Sequence, residues 1–245
     1  MTRQLPTKLP HHSLSAGTPA KLGAHFNGEG VNFAVFSSNA ESIELCLFTD
    51  DGKREIARIP LKERTGDIWH IFVAGLGLGT KYGYRVFGPY APEQGHRFNP
   101  HKLLLDPYAR QLHGALKWSD TLMGYRVGSA RNDLSFDTRD NAFAMPKSVV
   151  VNDHFAWADD RSPQFDPREA IHYEAHIKGM TAAHPKVEAK YRGKYLGMAS
   201  EPVLEHLTKL GINTVQLMPV HAFINDRFLI EKGLTNYWGY NTIGF

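Results

Sequence analysis

The sequence predicts a multi-domain protein of the β plus α/β class, in which a β-sandwich is followed by an α/β region. Short apolar stretches with a period of two fill roughly the first ninety residues, and a strand, a helix and a second strand follow residue 170. The chain is 42% hydrophobic and 22% charged, which excludes wholesale disorder. At about 100–200 residues per domain, 245 residues make one or two domains.

The β-sandwich is predicted from several short strands separated by turns. Residues 31–35 and 43–48 each alternate with the period of a half-buried strand. Residues 50–52 (Asp-Asp-Gly) form a strong hairpin turn, because glycine tolerates positive φ. Residues 81–87 predict a further strand, which the Gly-Pro pair at 88–89 ends. No convincing amphipathic helix lies between these stretches, so we expect an all-β sandwich.

The middle of the chain is predicted to be extended and irregular. Six prolines between residues 90 and 167 break any long helix, namely Pro92, Pro100, Pro107, Pro146, Pro163 and Pro167. The β-branched residues 149–151 predict one strand, and residues 159–163 have the polar composition of a linker. We therefore expect a β module over residues 1–115, an irregular linker over 116–168 and an incomplete α/β region over 169–245.

The last region begins an α/β unit. Residues 171–177 alternate strictly and predict a strand. Ser200 is placed to cap a helix that Gly211 ends, and residues 212–218 predict a second strand. Strand, helix and strand make a βαβ unit, normally a parallel pair with a right-handed crossover. The region is about 76 residues long, from 170 to 245, against ~250 for a full barrel of eight such units.

Composition excludes several functional classes. Lys and Arg number 28 against 25 Asp and Glu, and this net charge of +3 argues against nucleic-acid binding through a charged face. Cys46 is the only cysteine, so we expect no internal disulfide and a reducing compartment. No apolar run approaches the roughly 20 residues of a membrane span, and residues 1–10 lack the apolar core of a signal peptide. We expect a cytoplasmic protein with no membrane partner.

Six stretches, which together cover nearly the whole chain in order, carry a resemblance to a known family. They are residues 23–37, 82–89 (YGYRVFGP), 96–107, 171–181 (IHYEAHIKGMT), 210–221 (LGINTVQLMPVH) and 236–241 (NYWGYN). The last two are the most specific. On these residues the chain resembles the N-terminal part of a glycogen debranching enzyme of the isoamylase type, within the α-amylase clan of glycoside hydrolases.

The resemblance implies an Ig-like β-sandwich that is a carbohydrate-binding module of family forty-eight, followed by the first strands of a truncated (β/α)8 TIM barrel. It implies hydrolysis of α-1,6 branch linkages in glycogen or limit dextrin, with retention of configuration and no cofactor. Such chemistry needs two carboxyl groups about 5 Å apart. The family takes its carboxylates from the fourth, fifth and seventh barrel strands. Because this chain reaches only the second, we expect no catalytic residue within it and no activity from it alone.

Two alternatives stand beside the truncated enzyme. A non-catalytic glucan-binding module would bind glycogen through the sandwich without cutting it. An enzyme completed in trans would need a separately encoded C-terminal fragment as its partner. Glycogen or a branched α-glucan is the expected ligand in each case.

Three residues near the C-terminus are candidates for substrate binding. The resemblance implies that Tyr240 stacks on the sugar at the cleavage subsite, with Trp238 beside it. The alternative is that both rings only pack within a loop. His221 follows the second strand, where barrel enzymes place site residues, although a structural hydrogen bond in the loop is the stronger interpretation.

Other candidate constellations favour structural roles. His172, Glu174 and His176 share one face of the predicted strand and would line a barrel. A metal triad there is the weaker alternative, because His and carboxylate ligands suit zinc, and we expect no metal. Trp69 lies within an alternating strand, so a half-buried core ring is a stronger interpretation than a glucan platform.

Overall fold

The computed structural model of the protein describes residues 12–152 and 154–244. The chain divides into two compact units, one that extends to His154 and one that covers Phe155–Ile243. Residues 1–10, for which the sequence predicts no signal peptide, lie outside the described residues. Within the described part of the chain, no helix combines the length and apolar character that a bilayer crossing requires.

The first unit consists mainly of antiparallel strands, twelve of them within the described residues. They are β1 (Leu14–Ser15), β2 (Gly23–Phe26), β3 (Gly30–Phe36), β4 (Ser42–Phe48), β5 (Glu55–Pro60), β6 (Glu63–Thr65), β7 (Ile68–Ala74), β8 (Lys81–Phe87), β9 (Tyr90–Ala91), β10 (His96–Arg97), β11 (Leu112–His113) and β12 (Lys147–Val149). One sheet has the order β1-β7-β3-β2, with β6 also paired to β7, and the other has the order β11-β12-β8-β4-β5. The short strands β9 and β10 form a separate hairpin.

The two five-stranded sheets enclose one apolar core. Because side chains alternate across a strand, one face of each sheet points toward the other. In the central pairings Phe33 lies opposite Ile71, and Leu45 lies opposite Tyr84. The largest apolar and aromatic side chains that are fully buried are Val31, Phe33, Ile43, Leu45, Leu47, Ile59, Val73, Tyr82, Tyr84, Leu103 and Val150. The β-sandwich predicted from the sequence is confirmed.

The outer face of the second sheet is covered by the chain that follows β10. Cys46 and Phe48 of β4 pack there against Leu103. Gly83 of β8 makes this close approach possible, because a Cβ at that position would lie 2.9 Å from both Leu103 Cδ1 and the Leu104 carbonyl oxygen. A short apolar layer therefore forms outside the sandwich core.

Residues 116–152 belong to the irregular linker that the sequence predicts over 116–168. They are largely irregular, yet buried polar side chains attach them to the sandwich. Asn141 Oδ1 accepts a hydrogen bond from the Leu103 amide at 2.6 Å, and Ser148 Oγ accepts one from the Asp106 amide at 3.1 Å. The first compact unit accordingly extends well past residue 115. Sequence periodicity does not reveal this packing, because scattered polar contacts and single apolar residues such as Val150 carry it rather than a continuous apolar face.

The second unit contains two parallel strands and four α-helices within the described residues. These are β13 (His172–Ala175), α1 (Ile177–Thr181), α2 (Tyr195–Met198), α3 (Glu201–Lys209), β14 (Thr214–Leu217) and α4 (Arg227–Glu231). β13 and β14 pair in parallel, with Tyr173 opposite Val215. This is the βαβ unit that the sequence predicts. The sheet has two strands, so no barrel closes within the described residues.

A small apolar core joins β13 to the helices of the second unit. Its buried members are Ala175, Val187, Met198, Val203 and Leu207. α3 begins directly after Ser200, as predicted, but the cap differs from the expected one. Ser200 Oγ donates to the Gly197 carbonyl at 2.6 Å and accepts no hydrogen bond from α3. The hydroxyl therefore bonds a carbonyl group in the preceding turn of α2. The sequence pattern predicts a bond to an amide of α3 instead.

Candidate functional site

The first unit carries an open cleft of about 940 Å³ between the sandwich and the loops that follow it. Its walls come from the end of β3, from β8, from the β9–β10 hairpin and from residues 122–133. Its aromatic lining residues are Phe36, Tyr84, Tyr90, Phe98 and Tyr125. We call this feature the aromatic cleft.

Tyr90 holds one wall of the aromatic cleft in place. Its hydroxyl donates to the carbonyl oxygens of Asp133 and Ser135, each at 2.8 Å. Its ring packs edge-on against Phe136, with centroids 4.9 Å apart. Arg97 Nη2 also donates to Asp133 Oδ2 at 3.0 Å. These contacts join the β9–β10 hairpin to the loop that contains Asp133, so the two segments form one wall.

Lys102 lines the cleft but is engaged by protein atoms. Its Nζ donates to the carbonyl oxygens of Thr121 and Arg139, each at 2.8 Å, and lies 3.7 Å from Asp137 Oδ1. Burial lowers the pKa of Lys102, while hydrogen bonds from the Arg139 side chain lower the pKa of Asp137 to about 2. The pair therefore supports the cleft wall and leaves little charge for a ligand.

Tyr84 lines the cleft with a hydroxyl that has no hydrogen-bond partner among the described residues. The residue is 2% exposed, and burial raises the pKa of its phenol, so the hydroxyl is neutral. The neighbouring Tyr82 hydroxyl, by contrast, donates to Asp106 Oδ2 at 2.7 Å. An unsatisfied buried hydroxyl costs about 1–3 kcal/mol of stability. Because the oxygen atom itself is buried, a ligand in the cleft does not reach this hydroxyl.

A buried ion-pair network lies on the outer face of the second sheet. Arg85 is 1% exposed, and its Nη2 donates to Glu55 Oε2 at 3.0 Å and to both oxygens of Asp140 at 2.9 Å. These pairs attach the chain around Asp140 to the sheet.

Burial raises the pKa of the nearby Cys46 thiol well above its usual range, so the thiol is not a nucleophile.

Trp69 belongs to the core of the sandwich. The residue is 7% exposed, and its Nε1 donates to the Ser37 carbonyl at 3.0 Å. The Arg64 guanidinium lies 5.1 Å from the centre of its ring. A ring that is covered in this way offers no platform to a sugar, which agrees with the core interpretation of the sequence.

The second unit presents exposed aromatic rings on the loop that follows α4. Tyr237, Trp238 and Tyr240 are 46%, 53% and 58% exposed. His176 packs against this loop, with ring centroids 4.6 Å from Tyr237 and 5.5 Å from Trp238. The sequence analysis missed His176 as a partner of these rings, because about sixty residues separate the two segments and no local pattern links them.

Asn236 sets the shape of this loop. Its Oδ1 accepts from the Gly239 amide at 3.2 Å, and its Nδ2 donates to the carbonyl oxygens of Ile224 and Tyr240. The backbone at Tyr240 is therefore fixed while its ring stays exposed. His221 is exposed in a different segment, between β14 and α4, four residues after β14 ends. The sugar-binding role expected for Tyr240, Trp238 and His221 stays a prediction.

The expectation that His172, Glu174 and His176 share one strand face is wrong for His176. The strand ends at Ala175, and His176 caps α1, where its Nδ1 accepts from the Gly179 amide at 3.0 Å. His172 and Glu174 are exposed on the strand. Within the described residues, no group of three or more His, Cys, Asp or Glu side chains is placed to hold a metal ion.

Comparison with known families identifies the sandwich. Residues 21–109 match the family described as Carbohydrate-binding module 48 (Isoamylase N-terminal domain). The matched residues include strands β2 to β10, whereas residues 122–133 of the aromatic cleft lie beyond them.

Over nearly its whole length the chain is similar to curated proteins of glycogen metabolism. It is 47% identical over 231 residues to the glycogen debranching enzyme of Yersinia enterocolitica, which covers 94% of this chain and 34% of that protein. It is 44% identical over 241 residues to the glycogen operon protein GlgX homolog of Mycobacterium tuberculosis, and the match covers 98% of this chain and 32% of that protein. The chain thus spans about a third of the length of the curated relatives it matches.

Solved structures show the same fold. The pullulanase of Paenibacillus barengoltzii, in complex with maltohexaose and alpha-cyclodextrin, superposes with a TM-score of 0.63 at 22% identity and covers 94% of this chain and 32% of that one. The catalytic module of the pneumococcal virulence factor SpuA superposes with a TM-score of 0.59 at 21% identity. The superposition covers 85% of this chain and 28% of that one. The resemblance predicted from the sequence is confirmed.

Proposed function

We propose that this chain, which corresponds to the N-terminal part of an isoamylase-type glycogen debranching enzyme, binds branched α-glucan and does not by itself cut it. One observation carries the proposal: the carbohydrate-binding match over residues 21–109 falls on a β-sandwich with its own apolar core. The complexes of the related pullulanase with maltohexaose and alpha-cyclodextrin support an α-glucan as the ligand class.

The non-catalytic part of the proposal is supported by what the described residues contain. A retaining glycosidase needs a nucleophile and an acid/base whose carboxyl groups lie about 5 Å apart across the scissile bond. The resemblance assigns these groups to later barrel strands, and the described part of the second unit has only β13 and β14. We therefore expect the catalytic carboxyl groups of the family on barrel strands other than β13 and β14.

Two assays on the purified chain test the proposal. The chain should sediment with glycogen and should not sediment with cellulose, because the β-1,4 polymer has a different chain geometry. Incubated with branched limit dextrin, the chain should release no more reducing ends than a buffer blank, while a complete debranching enzyme serves as the positive control. Turnover above the blank would disprove the non-catalytic part, and failure to sediment with glycogen would disprove the binding part.

A second candidate function is an enzyme that is completed in trans by a polypeptide with the remaining barrel strands. The parallel pair β13–β14 favours it, because parallel sheets are normally covered on both faces and flanked by further strands. Val215 and Leu217 of β14 are each 41% exposed in the second unit. Co-expression with such a polypeptide should give a complex with debranching activity. Separate elution of the two chains would exclude this candidate.

We further propose that Tyr240 stacks on a sugar ring in the completed enzyme, with Trp238 and His221 near the same subsite. The exposed ring of Tyr240 on a backbone fixed by Asn236 supports this role. In the complete enzyme, Tyr240→Ala should lower kcat/KM on limit dextrin at least tenfold, whereas Tyr240→Phe, which keeps the ring, should retain most of it.

A cytoplasmic location also stays a prediction.

A further inference from the structure

The aromatic cleft extends beyond the residues that the family model matches. Part of its wall, residues 122–133, lies outside the matched residues 21–109. Its volume of about 940 Å³ lies at the upper end of the roughly 300–1,000 Å³ found for small-molecule sites. The cleft is therefore large enough for a short oligosaccharide.

We propose that the aromatic cleft binds a short segment of a single α-1,4-linked glucan chain. The inference rests on the proposed glucan-binding function and deepens it by assigning the site. It places recognition at the end of β3, at the β9–β10 hairpin and at the loop beyond the matched module. It does not depend on the aromatic loop of the second unit.

Aromatic rings at the cleft supply the apolar part of the recognition. Phe36 is 55% exposed, and Tyr90, Phe98 and Tyr125 are half-buried in the walls. The C–H face of a pyranose is flat and apolar and matches such rings. Tyr90 is fixed by two hydrogen bonds, and Phe98 packs so closely on Gly88 that a Cβ there would lie 2.7 Å from its Cγ. Rings held in this way lose little conformational entropy when a ligand binds.

Polar groups at the cleft favour a neutral polyol. The amides of Asn39 and Asn132 offer both donors and acceptors. The two charges at the rim, Arg97 and Asp133, neutralise each other at 3.0 Å. An anionic or cationic ligand finds no unpaired counter-charge in this arrangement, whereas sugar hydroxyls match the amides.

The test compares variants of the full chain for binding to maltoheptaose by calorimetry. Phe36→Ala and Tyr125→Ala each remove a ring from the cleft. Phe143→Ala is the matched control, because Phe143 is 63% exposed in the same unit and does not line the cleft. The cleft variants should bind roughly five- to thirty-fold more weakly, as expected for interface anchors, and the control should bind like the unchanged chain. Cellohexaose should not bind.

Hydrogen exchange on the unchanged chain gives a readout that does not depend on variant folding. Maltoheptaose should slow amide exchange in residues 95–99 and 122–133. Binding that survives both cleft substitutions but is lost in Tyr240→Ala would overturn the cleft assignment and leave glucan binding intact. Protection that is absent from these residues, or equal binding of cellohexaose, would also overturn the assignment. If the unchanged chain binds no α-glucan, the proposed function itself fails.

Discussion

Single buried polar residues decide how the chain around residues 116–152 is held. Asp137 is the clearest case, because the residue is fully buried and accepts hydrogen bonds from the amide and the side chain of Arg139. It also faces the ammonium group of Lys102. Its carboxylate is therefore stabilised in the charged form, and its pKa falls from an ordinary 3.8 to about 2.

The lowered pKa of Asp137 predicts how stability depends on pH. A group whose pKa is depressed in the folded state stabilises the fold above its unfolded pKa, and this contribution is lost as pH falls through the folded pKa. The unchanged chain should therefore lose stability between about pH 5 and pH 2, and Asp137→Asn should lose less over that range. At pH 7 the substitution should lower the free energy of unfolding by roughly 3 kcal/mol, because Lys102 loses its buried counter-charge.

Urea unfolding followed by near-ultraviolet circular dichroism at several pH values measures this effect. Asp160→Asn is the control, since Asp160 lies in an exposed stretch of the chain. Asp106, whose pKa burial raises, contributes in the opposite direction, but it is present in every variant and cancels in the comparison. Equal pH slopes for the unchanged chain and Asp137→Asn would contradict the assignment of acid sensitivity to Asp137.

Element packing depends in one place on the absence of a side chain. The chain after β10 pairs with β8 through two backbone hydrogen bonds between Tyr84 and Leu104, at 2.9 Å and 2.8 Å. Gly83 lies next to this bridge, and its missing Cβ leaves the space that Leu103 fills. The same bridge positions Leu104 and Leu105, which line the aromatic cleft. The packing of one glycine therefore affects the shape of the candidate site.

Gly83→Ala should destabilise the first unit by about 1–3 kcal/mol, because overpacking displaces neighbours in a tight contact. The Leu103 side chain can turn away, but the Leu104 carbonyl cannot move without breaking the bridge. The measurement is urea unfolding as before, with amide exchange at Leu104 as a local readout. Gly77→Ala is the matched control, since no heavy atom lies within 4 Å of a Cβ there. Equal stabilities of the two variants would refute the argument.

The sequence predicts those elements whose side chains repeat with a regular period. β3, β4 and β8 have large apolar side chains at every second position, and β13, α3 and β14 form the expected βαβ unit, so hydrophobic period and turn residues suffice for them. The packing of residues 116–152 and the aromatic cleft could not be predicted in this way. Both depend on contacts between residues far apart in sequence, such as Tyr90 with Ser135, and single polar contacts leave no periodic pattern.

Local patterns also misplace side chains at element ends. His176 continues the alternation of β13 in the sequence, yet it caps α1 because the strand ends one residue earlier. Ser200 is correctly placed before α3, but its hydroxyl bonds the preceding turn. In both cases a nearby backbone group competes with the expected partner, which the spacing of residue types does not show.

The molecule as a whole consists of two units, each with a separate apolar core. The first core draws on two five-stranded sheets, whereas the second rests on two short strands and four short α-helices. Residues 154–165, where the two units meet in the sequence, are exposed throughout. Exposed backbone with few contacts is where local opening takes the least free energy.

Limited trypsin digestion should therefore cut first at Arg161, which lies in this exposed stretch. Buried basic residues on the strands of the sandwich, such as Arg85 at 1% exposure, should resist because cleavage there requires the first unit to unfold. The expected product is a persistent fragment that contains β1 to β12, identified by mass spectrometry. Arg161→Gln should slow its appearance and move the first cut to Arg168, which is also exposed. An initial cut within residues 30–87 would contradict this predicted order of cleavage. It would mean that the sandwich opens more readily than the segment between the units.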